Sequence, residues 1–159
     1  MAELNPGITI LAPLLGTWAG RGFGDYPTID DFGYLEEITF GHVGKPFLSY
    51  TQRTRSEDGA PMHAEAGYLR VPSPGHAELV LAQPSGVTEI DEGTVTDDGG
   101  VLRIDLASRS VGLTSTAKEV LSVTRSIRVE GDELTYTLRM GAVGHPLQHH
   151  LTATLHRQP

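Results

Sequence analysis

Histidine is the residue type in this chain whose chemistry is richest. The sequence contains seven histidines and no cysteine, so a bound metal would be held by His, Asp, Glu or Met. The lack of cysteine also excludes disulfides, thiolate nucleophiles and iron-sulfur clusters with all-cysteine ligation. A neutral imidazole gives one ring nitrogen to a metal while the other donates a hydrogen bond that fixes the tautomer. Four histidines fall in the last fifteen residues: His145, His149, His150 and His156.

Two histidines of this group have the spacing of a helical zinc motif. His145 and His149 are four residues apart, but Pro146 and the threonines that follow predict a strand. In a strand that separation is too wide for one metal ion. We therefore interpret His145, His149 and His150 as surface or hairpin residues.

His156 lies at the end of the predicted last strand. Alternation along this strand places an apolar set on the opposite face from His156, and the set is Leu151, Ala153 and Leu155. From position alone, a histidine so close to the C-terminus is a solvated tail residue. A ligand role would require a β-bulge or an apolar outer face covered by a partner, and the second case suggests a homodimer.

Hydrolytic catalysis has little support in the sequence. Ser85 and Ser108 lack the strand-turn-helix context of a nucleophile elbow. Adjacent carboxylates such as Glu36 and Glu37 point to opposite faces of a strand, so they cannot act together on one substrate. We interpret such pairs as surface charge.

The charge and hydropathy of the chain exclude several classes of partner. Twelve basic and twenty acidic residues give a formal net charge of -8 at pH 7, which repels nucleic acid phosphates and anionic lipids. No window approaches the roughly 20 apolar residues of a membrane-spanning helix, and the segment from Met1 to Pro6 does not resemble a signal peptide. We expect a soluble, cytoplasmic protein that binds neither nucleic acid nor a membrane.

Strands dominate the hydrophobic pattern. Period-2 stretches rich in Val, Ile, Thr and Tyr recur about every ten residues and end at turn residues. Ten strands are predicted, at residues 18–24, 35–40, 47–55, 64–71, 77–82, 86–92, 101–110, 119–129, 133–140 and 148–156. The apolar spacing from Ile8 to Leu15 predicts one or two helical turns, interrupted at Pro13.

So many strands in one small domain must hide their sheet edges, and closure of the sheet removes the edges altogether. We therefore predict a single all-β domain over residues 1–159, an up-and-down antiparallel β-barrel of about ten strands with a short N-terminal helical cap. A barrel of this size has room inside for side chains and one small ligand.

The segment from Gly16 to Gly22 reads GTWAGRG and contains the one tryptophan of the chain. In a strand, Gly16, Trp18, Gly20 and Gly22 share one face, so an aromatic plug is followed by positions without side chains. This pattern is typical of a first barrel strand whose tryptophan fills the closed end. A phosphate-binding loop is excluded because a loop, and no helix, follows the glycines.

This GxWxGxG motif, followed by YPTI, resembles the nitrobindin family of haem-binding barrels, which are similar in shape to lipocalins and fatty-acid-binding proteins. The resemblance extends over nearly the whole chain, through the segments YLEEITF, HVGKPFLSYTQRT, MHAEAGYLRV, LVLAQPSGVTE and MGAVGHPLQHHLTATLHRQ. It implies a lipocalin-like barrel with one haem b per chain.

The resemblance also implies which residues form the site. It makes His156 the proximal ligand of the haem iron and hence the metal-binding and catalytic residue. Thr28 falls at the pocket rim, Met62 and His63 in a loop that reaches the haem, and Gln83 at the pocket wall. The motif residues are counted with the cofactor-binding positions: Gly16, Trp18, Gly20 and Gly22. Four basic residues are available for the haem propionates: Lys45, Arg53, Arg55 and Lys118.

The function implied by the resemblance is that of a ferric haem protein that binds nitric oxide and isomerises peroxynitrite to nitrate. Iron with an open sixth position would act as a Lewis acid that promotes cleavage of the O–O bond. Two alternatives remain open from the residues: a carrier of a small apolar ligand without catalysis, and an interaction module with a closed barrel. His156 discriminates between haem binding and the carrier, because a carrier has no need of that imidazole.

Overall fold

The computed structural model describes residues 2–159 and contains one short helix and ten strands. A 3₁₀ helix spans Pro6–Leu14. The strands are β1 Gly16–Tyr26, β2 Ile29–Gly41, β3 Leu48–Arg55, β4 Pro61–Ser73, β5 His76–Gln83, β6 Val87–Asp98, β7 Val101–Leu113, β8 Val120–Glu130, β9 Glu133–Ala142 and β10 Gln148–Arg157. Every predicted strand and the helical cap are confirmed. Within residues 2–159, no helix is long and apolar enough to cross a membrane.

The ten strands form one closed sheet. Each strand pairs antiparallel with its neighbour in sequence, and the pairing of β1 with β10 completes the ring. Closure leaves no edge strand, and alternate side chains of each strand point into the barrel. The prediction of an up-and-down antiparallel barrel is therefore confirmed.

The helix closes one end of the barrel. Its three buried residues are Ile8, Leu11 and Leu14, and Trp18 of β1 lies directly beneath them. The indole Nε1 of Trp18 donates a hydrogen bond to the carbonyl oxygen of Leu14 at 2.8 Å, so the plug and the cap are joined. This buried hydrogen bond satisfies the only polar atom of the indole.

Arg157, at the end of β10, ties the cap to the barrel wall. Its guanidinium lies over the ring of Trp18, 4.3 Å from the ring centroid. It also donates to the carbonyl oxygen of Pro13 in the last turn of the helix and to that of Leu15, which follows the helix. First and last strands are thus fastened at the same end of the molecule.

The glycines of the motif allow close approach of neighbouring groups. A Cβ at Gly20 would overlap the backbone carbonyl oxygen of Thr154 in β10, and a Cβ at Gly22 would overlap the ring of Tyr34 in β2. Glycine at these positions therefore sets the spacing between β1 and its two neighbours. Contacts of this kind explain the motif without any ligand.

The last strand has its apolar face inside the barrel. Ala153 and Leu155 are buried, whereas Thr152, Thr154 and His156 are exposed. An apolar outer face on β10, the reason for expecting a homodimer, is therefore absent from this strand.

Candidate functional site

A cavity opens at the end of the barrel opposite the helix, and we call it the wide cavity. It measures about 760 Å³ with its mouth included. The apolar residues of its wall include Phe32, Val120, Val123, Leu138, Met140 and Leu151. Its floor is polar and consists of Gln52, Glu65, Glu89 and Arg125. A concave apolar site with a few polar groups is the usual form of a small-molecule or cofactor site.

Two further spaces adjoin the wide cavity. Deeper in the barrel lies a smaller inner cavity, which shares the floor residues Gln52, Glu65 and Arg125 with it. Outside the mouth lies an open vestibule, which shares Gln83 and His150 with the wide cavity. His150 thus stands where the vestibule meets the wide cavity.

A β-bulge brings His150 to this place. His149 pairs with Arg139 of β9 and Leu151 pairs with Leu138, so His150 is an extra residue between consecutive pairs. In a regular strand, His150 and Leu151 would face opposite sides of the sheet. Both line the wide cavity, because the bulge re-aims one side chain.

The imidazole of His150 is held in the tautomer that a metal requires. Its Nδ1 lies 3.0 Å from the carbonyl oxygen of Asp25, which can only accept, so Nδ1 carries the proton and donates. The lone pair is therefore on Nε2. Burial lowers the pKa of His150, although the hydrogen bond to Asp25 opposes the shift, so the ring is neutral at pH 7. The interpretation of His150 as a surface or hairpin residue is corrected by these contacts.

The other two histidines of this segment support the fold. His149 Nδ1 donates to the carboxylate of Asp25 at 2.5 Å, which fastens the start of β10 to the end of β1. The ring of His145 packs edge-on against Tyr26, with 5.9 Å between the ring centroids. Neither lines the wide cavity.

His156 is not part of the cavity wall. Its side chain is exposed on the outer face of β10, between Ala19 of β1 and Glu133 of β9 in the ladder. It lines neither the wide cavity, the inner cavity nor the vestibule. This placement does not support the expectation that His156 binds iron, because the regular alternation of β10 after the bulge turns the side chain toward solvent.

The remaining predicted site residues divide into two groups. Met62, His63 and Gln83 line the wide cavity together with His150, and Thr28 lines the vestibule with Gln83. The four motif residues line none of these three spaces, so the structure gives their expected part in cofactor binding no support: Gly16, Trp18, Gly20 and Gly22.

The four basic candidates for propionate contacts are also separated by the fold. Lys118 lines the vestibule. Arg53 and Arg55 line a groove beside Met62 and His63. Lys45 lies in the loop between β2 and β3, next to Gly44, whose carbonyl oxygen accepts from Asn5 at the helical end.

The polar floor is a cluster that sequence reasoning missed. Arg125 of β8 forms ion pairs of 2.8 Å with both Glu65 of β4 and Glu89 of β6, and its Nε lies 3.4 Å from Asp91. These four side chains are buried. A usable signal was present, because Glu89 and Asp91 share strand parity with buried Val87, and Arg125 shares it with buried Val123.

The cluster separates the proton affinities of its carboxyl groups. Burial alone would raise the pKa of Glu65, but Arg125 and His63 outweigh burial and lower this pKa to about 2. Burial and the negative charge of Glu89 raise the pKa of Asp91 to about 8. At neutral pH Glu65 is therefore ionised, and Asp91, beneath the floor residues Glu89 and Arg125, is the carboxyl group of the cluster that takes up a proton more readily.

The sequence matches the family described as "THAP4-like, heme-binding beta-barrel domain" over residues 8–157. The chain belongs to this family. Peroxynitrite isomerase 2 from Mycobacterium marinum is similar to this haem-binding barrel, with 62% identity over 158 residues that cover 99% of this chain and 98% of the relative. Peroxynitrite isomerase 1 from Mycolicibacterium paratuberculosis is 60% identical over 157 residues, which cover 98% of each chain.

A solved structure is similar to this chain in both sequence and fold. The crystal structure of Rv2717c from M. tuberculosis matches this haem-binding barrel with a TM-score of 0.97 and 59% sequence identity. The match covers 99% of this chain and 100% of that one.

The residues of the wide cavity fit haem, the cofactor that the family description names. The cavity offers a neutral imidazole whose Nε2 lone pair is free of the hydrogen bond to Asp25. Around it stand apolar side chains suited to a porphyrin, among them Phe32, Leu138, Met140 and Leu151. The carboxylates that also line the cavity, Glu65 and Glu89, pair with Arg125, and His63 Nε2 lies 3.1 Å from Glu65. The Nε2 of His150 is therefore the imidazole nitrogen best suited to haem iron.

Proposed function

We propose that the chain binds one haem b in the wide cavity and isomerises peroxynitrite to nitrate. The observation that carries the proposal is the bulge in β10, which places His150 on the cavity wall with its Nε2 free. The relatives at about 60% identity named peroxynitrite isomerase support the reaction. We propose His150, in place of His156, as the residue that holds the iron.

The chain contributes position and environment. When bound, ferric haem supplies a Lewis-acidic iron that promotes cleavage of the O–O bond of peroxynitrite. The carbonyl oxygen of Asp25 orients the imidazole of His150 through Nδ1. Phe32 and Met140 present apolar surface to the site, and Met62 and His63 also line it. Apolar walls keep the ligand site dry and strengthen the electrostatics inside it.

Groups at the vestibule are suited to the haem propionates. Thr28 offers a hydroxyl group there, and Lys118 offers a positive charge. Gln83 lines both spaces, but its amide Nε2 is engaged by Glu89 at 2.5 Å, so it serves as a wall residue. Nitric oxide binding and a cytoplasmic location are further expectations that accompany this proposal.

The test is an absorption titration of the apo chain with haemin. We expect a saturable Soret band at one haem per chain in the wild type and in His156→Ala, and its loss or a strong shift in His150→Ala. His156→Ala is the matched control, because it removes an imidazole from the same strand but from the outer face. Stopped-flow measurement of nitrate formation from peroxynitrite then checks the reaction in the loaded wild type.

Two results would contradict the proposal. Equal bands in wild type and His150→Ala would remove His150 from the iron. The absence of a saturable band in the wild type would favour the apolar-ligand carrier, whose ligand would occupy the same cavity.

A further inference from the structure

Glu36 of β2 is a buried carboxyl group that forms no ion pair within residues 2–159. It is 5% exposed and lines the inner cavity. Its neighbour Glu37 faces outward and pairs with Arg53 at 2.7 Å. The interpretation as surface charge is therefore wrong for Glu36, which is buried, and agrees with the structure for Glu37. Burial of a carboxylate without a cation in contact is costly, so protonation of Glu36 is easy.

Hydrogen bonds connect Glu36 to the wide cavity. Glu36 Oε1 accepts from the hydroxyl group of Tyr136 at 2.7 Å, and the hydroxyl groups of Tyr136 and Tyr34 are also 2.7 Å apart. Tyr34 lines the wide cavity. A path of hydrogen bonds therefore runs from Tyr34 at the cavity wall through Tyr136 to the buried carboxyl group of Glu36.

The direction of these hydrogen bonds is fixed by proton count. Tyr136 has a single hydroxyl proton and donates it to Glu36, so Tyr34 must donate its own proton to Tyr136. The oxygen of Tyr34 then has lone pairs left to accept a hydrogen bond from a molecule in the wide cavity. Both tyrosine hydroxyl groups of the path thus donate in the direction of the Glu36 carboxylate, as proton uptake by Glu36 requires.

The glycine motif makes room for this path. The ring of Tyr34 lies across Gly22, where a Cβ would overlap its Cζ and hydroxyl oxygen. Any other residue at this position would push the phenol away from Tyr136. Gly22 thus positions the first group of the path, which gives this motif residue a role at a distance from the cavity.

The groups facing Glu36 come from four strands. Gln52 of β3 donates to Glu36 Oε2 at 2.7 Å. Glu65 of β4 repels the charge of Glu36, and Arg125 of β8 attracts it. Burial has the largest effect and raises the pKa of Glu36, whereas the hydrogen bonds from Tyr136 of β9 and Gln52 lower it. The net result is a pKa raised to about 7.

We propose that Glu36 accepts a proton from the substrate in the wide cavity through Tyr34 and Tyr136. This inference rests on the proposed function. Peroxynitrous acid carries one proton that nitrate does not keep at neutral pH, so each isomerisation of the acid releases one proton. The substrate O–H proton passes to Tyr34 Oη as the proton of Tyr34 passes to Tyr136 and that of Tyr136 passes to Glu36 Oε1. Each phenol ends with one proton, and the carboxylate becomes a neutral acid.

The first test uses the apo chain and requires neither haem nor substrate. The ¹³C shift of the Glu36 carboxyl carbon is followed by NMR from pH 4 to 9. We expect a midpoint near 7 in the wild type, and a higher midpoint in Tyr136→Phe, which removes the hydrogen bond to the carboxylate while it keeps the ring. The proposal would be overturned if Glu36 titrated in the ordinary Glu range. It would also be overturned if the midpoint were the same in wild type, Tyr136→Phe and Tyr34→Phe.

The second test compares pH profiles of nitrate formation by the haem-loaded protein. The rate ratio of wild type to Glu36→Gln should change about tenfold between pH 6 and 8, as expected for one group with a midpoint near 7. The ratio cancels the titration of the substrate itself. Glu37→Gln is the matched control and should keep the wild-type profile. Tyr136→Phe should behave as Glu36→Gln does.

The two proposals fail in different ways. If the wild type is active and the rate ratio of wild type to Glu36→Gln does not change with pH, the proton path is overturned. The proposed isomerase function is unaffected by that result. An inactive wild type or a missing Soret band contradicts the proposed function, and the NMR titration then decides whether Glu36 and the two tyrosines form a coupled path.

Discussion

His150 and Leu151 are consecutive in the chain, yet both side chains face the interior of the barrel. The register of β9 and β10 shows why, since His149 and Leu151 pair with consecutive residues of β9. The extra residue is His150 itself. A single inserted position thus changes which histidine the cavity receives.

The pH dependence of apo stability should report the environment of His150. Burial lowers its pKa in the folded chain, so the unfolded chain binds more protons as the pH falls through the ordinary His range. His150 therefore costs stability at acidic pH. As the pH is lowered from 7.5 to 5.5, His150→Gln should therefore become more stable relative to the wild type. Urea unfolding of the apo proteins at the two pH values measures this difference.

His156→Gln provides the control for this measurement. The side chain is exposed, and its difference from the wild type should stay constant between the two pH values. A constant difference for His150→Gln as well would show that the folded chain does not disfavour the charged ring.

Removal of a vestibule charge should weaken haem binding. Lys118 lines the vestibule, whereas Lys45 is exposed in a loop at the helical end. Lys118→Gln should lower the affinity for haemin about threefold at low salt, the scale of an exposed ion pair, and the difference should fade at high salt. Fluorescence quenching of Trp18 by bound haem gives the affinities.

Lys45→Gln carries the same charge change and should bind haemin as the wild type does. Equal weakening in both variants would indicate that net charge, and no local contact with the propionates, governs the affinity.

Gly20→Ala should destabilise the barrel strongly. The added Cβ would meet the backbone oxygen of Thr154, which cannot rotate away, so β1 and β10 must separate. We expect a loss of about 2–3 kcal/mol in the free energy of unfolding, the upper range for overpacking. Gly41→Ala is the control within β2, because its nearest neighbour is the movable hydroxyl group of Ser49. Similar losses in both variants would attribute the effect to the loss of glycine itself.

Arg125→Met should expose the cost of the buried carboxylates. Glu65 and Glu89 would lose their only short ion pairs to arginine, and we expect a loss of about 3–5 kcal/mol at pH 7. In the wild type, Glu65 has a pKa of about 2, so its contribution to stability persists down to about pH 4.5 and is lost below it. In the variant the carboxylates protonate earlier, so the loss should shrink between pH 7 and 5.

Urea unfolding at the two pH values checks this result. Arg128→Met is the control on the same strand, since Arg128 pairs with exposed Glu130 and its removal should change stability little. A loss that is equal at pH 7 and pH 5 would mean that the carboxylates of the floor remain ionised without Arg125.

The strands were predictable because period-2 alternation is dense along this chain, and glycines mark the hairpin tips. Gly59, Gly99 and Gly131 all have positive φ at those tips, as their turn sequences predict. The longer β2 was missed at its start because Asp30, Asp31 and Gly33 resemble a loop.

The site was predictable only in part. The resemblance named Met62, His63 and Gln83, and all three line the wide cavity; that they bind a cofactor stays a prediction. A bulge in the last strand was one of two possibilities raised by the sequence, but its place was not predictable, because His149-His150 gives no sign of an insertion. The buried acid Glu36 had a signal that was not used, since it shares strand parity with buried Tyr34, Ile38 and Phe40.

The fastening of Arg157 over Trp18 has a practical consequence for how the molecule can be handled. The last residues leave the barrel beside β1, where Gln158 donates to the carbonyl oxygen of Thr17, and the first residues pass the same end at Gly44. A tag, fluorophore or solid support attached to either terminus would therefore sit behind the plugged end. An immobilised barrel would present its mouth to the flowing sample, with ligand exchange unobstructed by the tether.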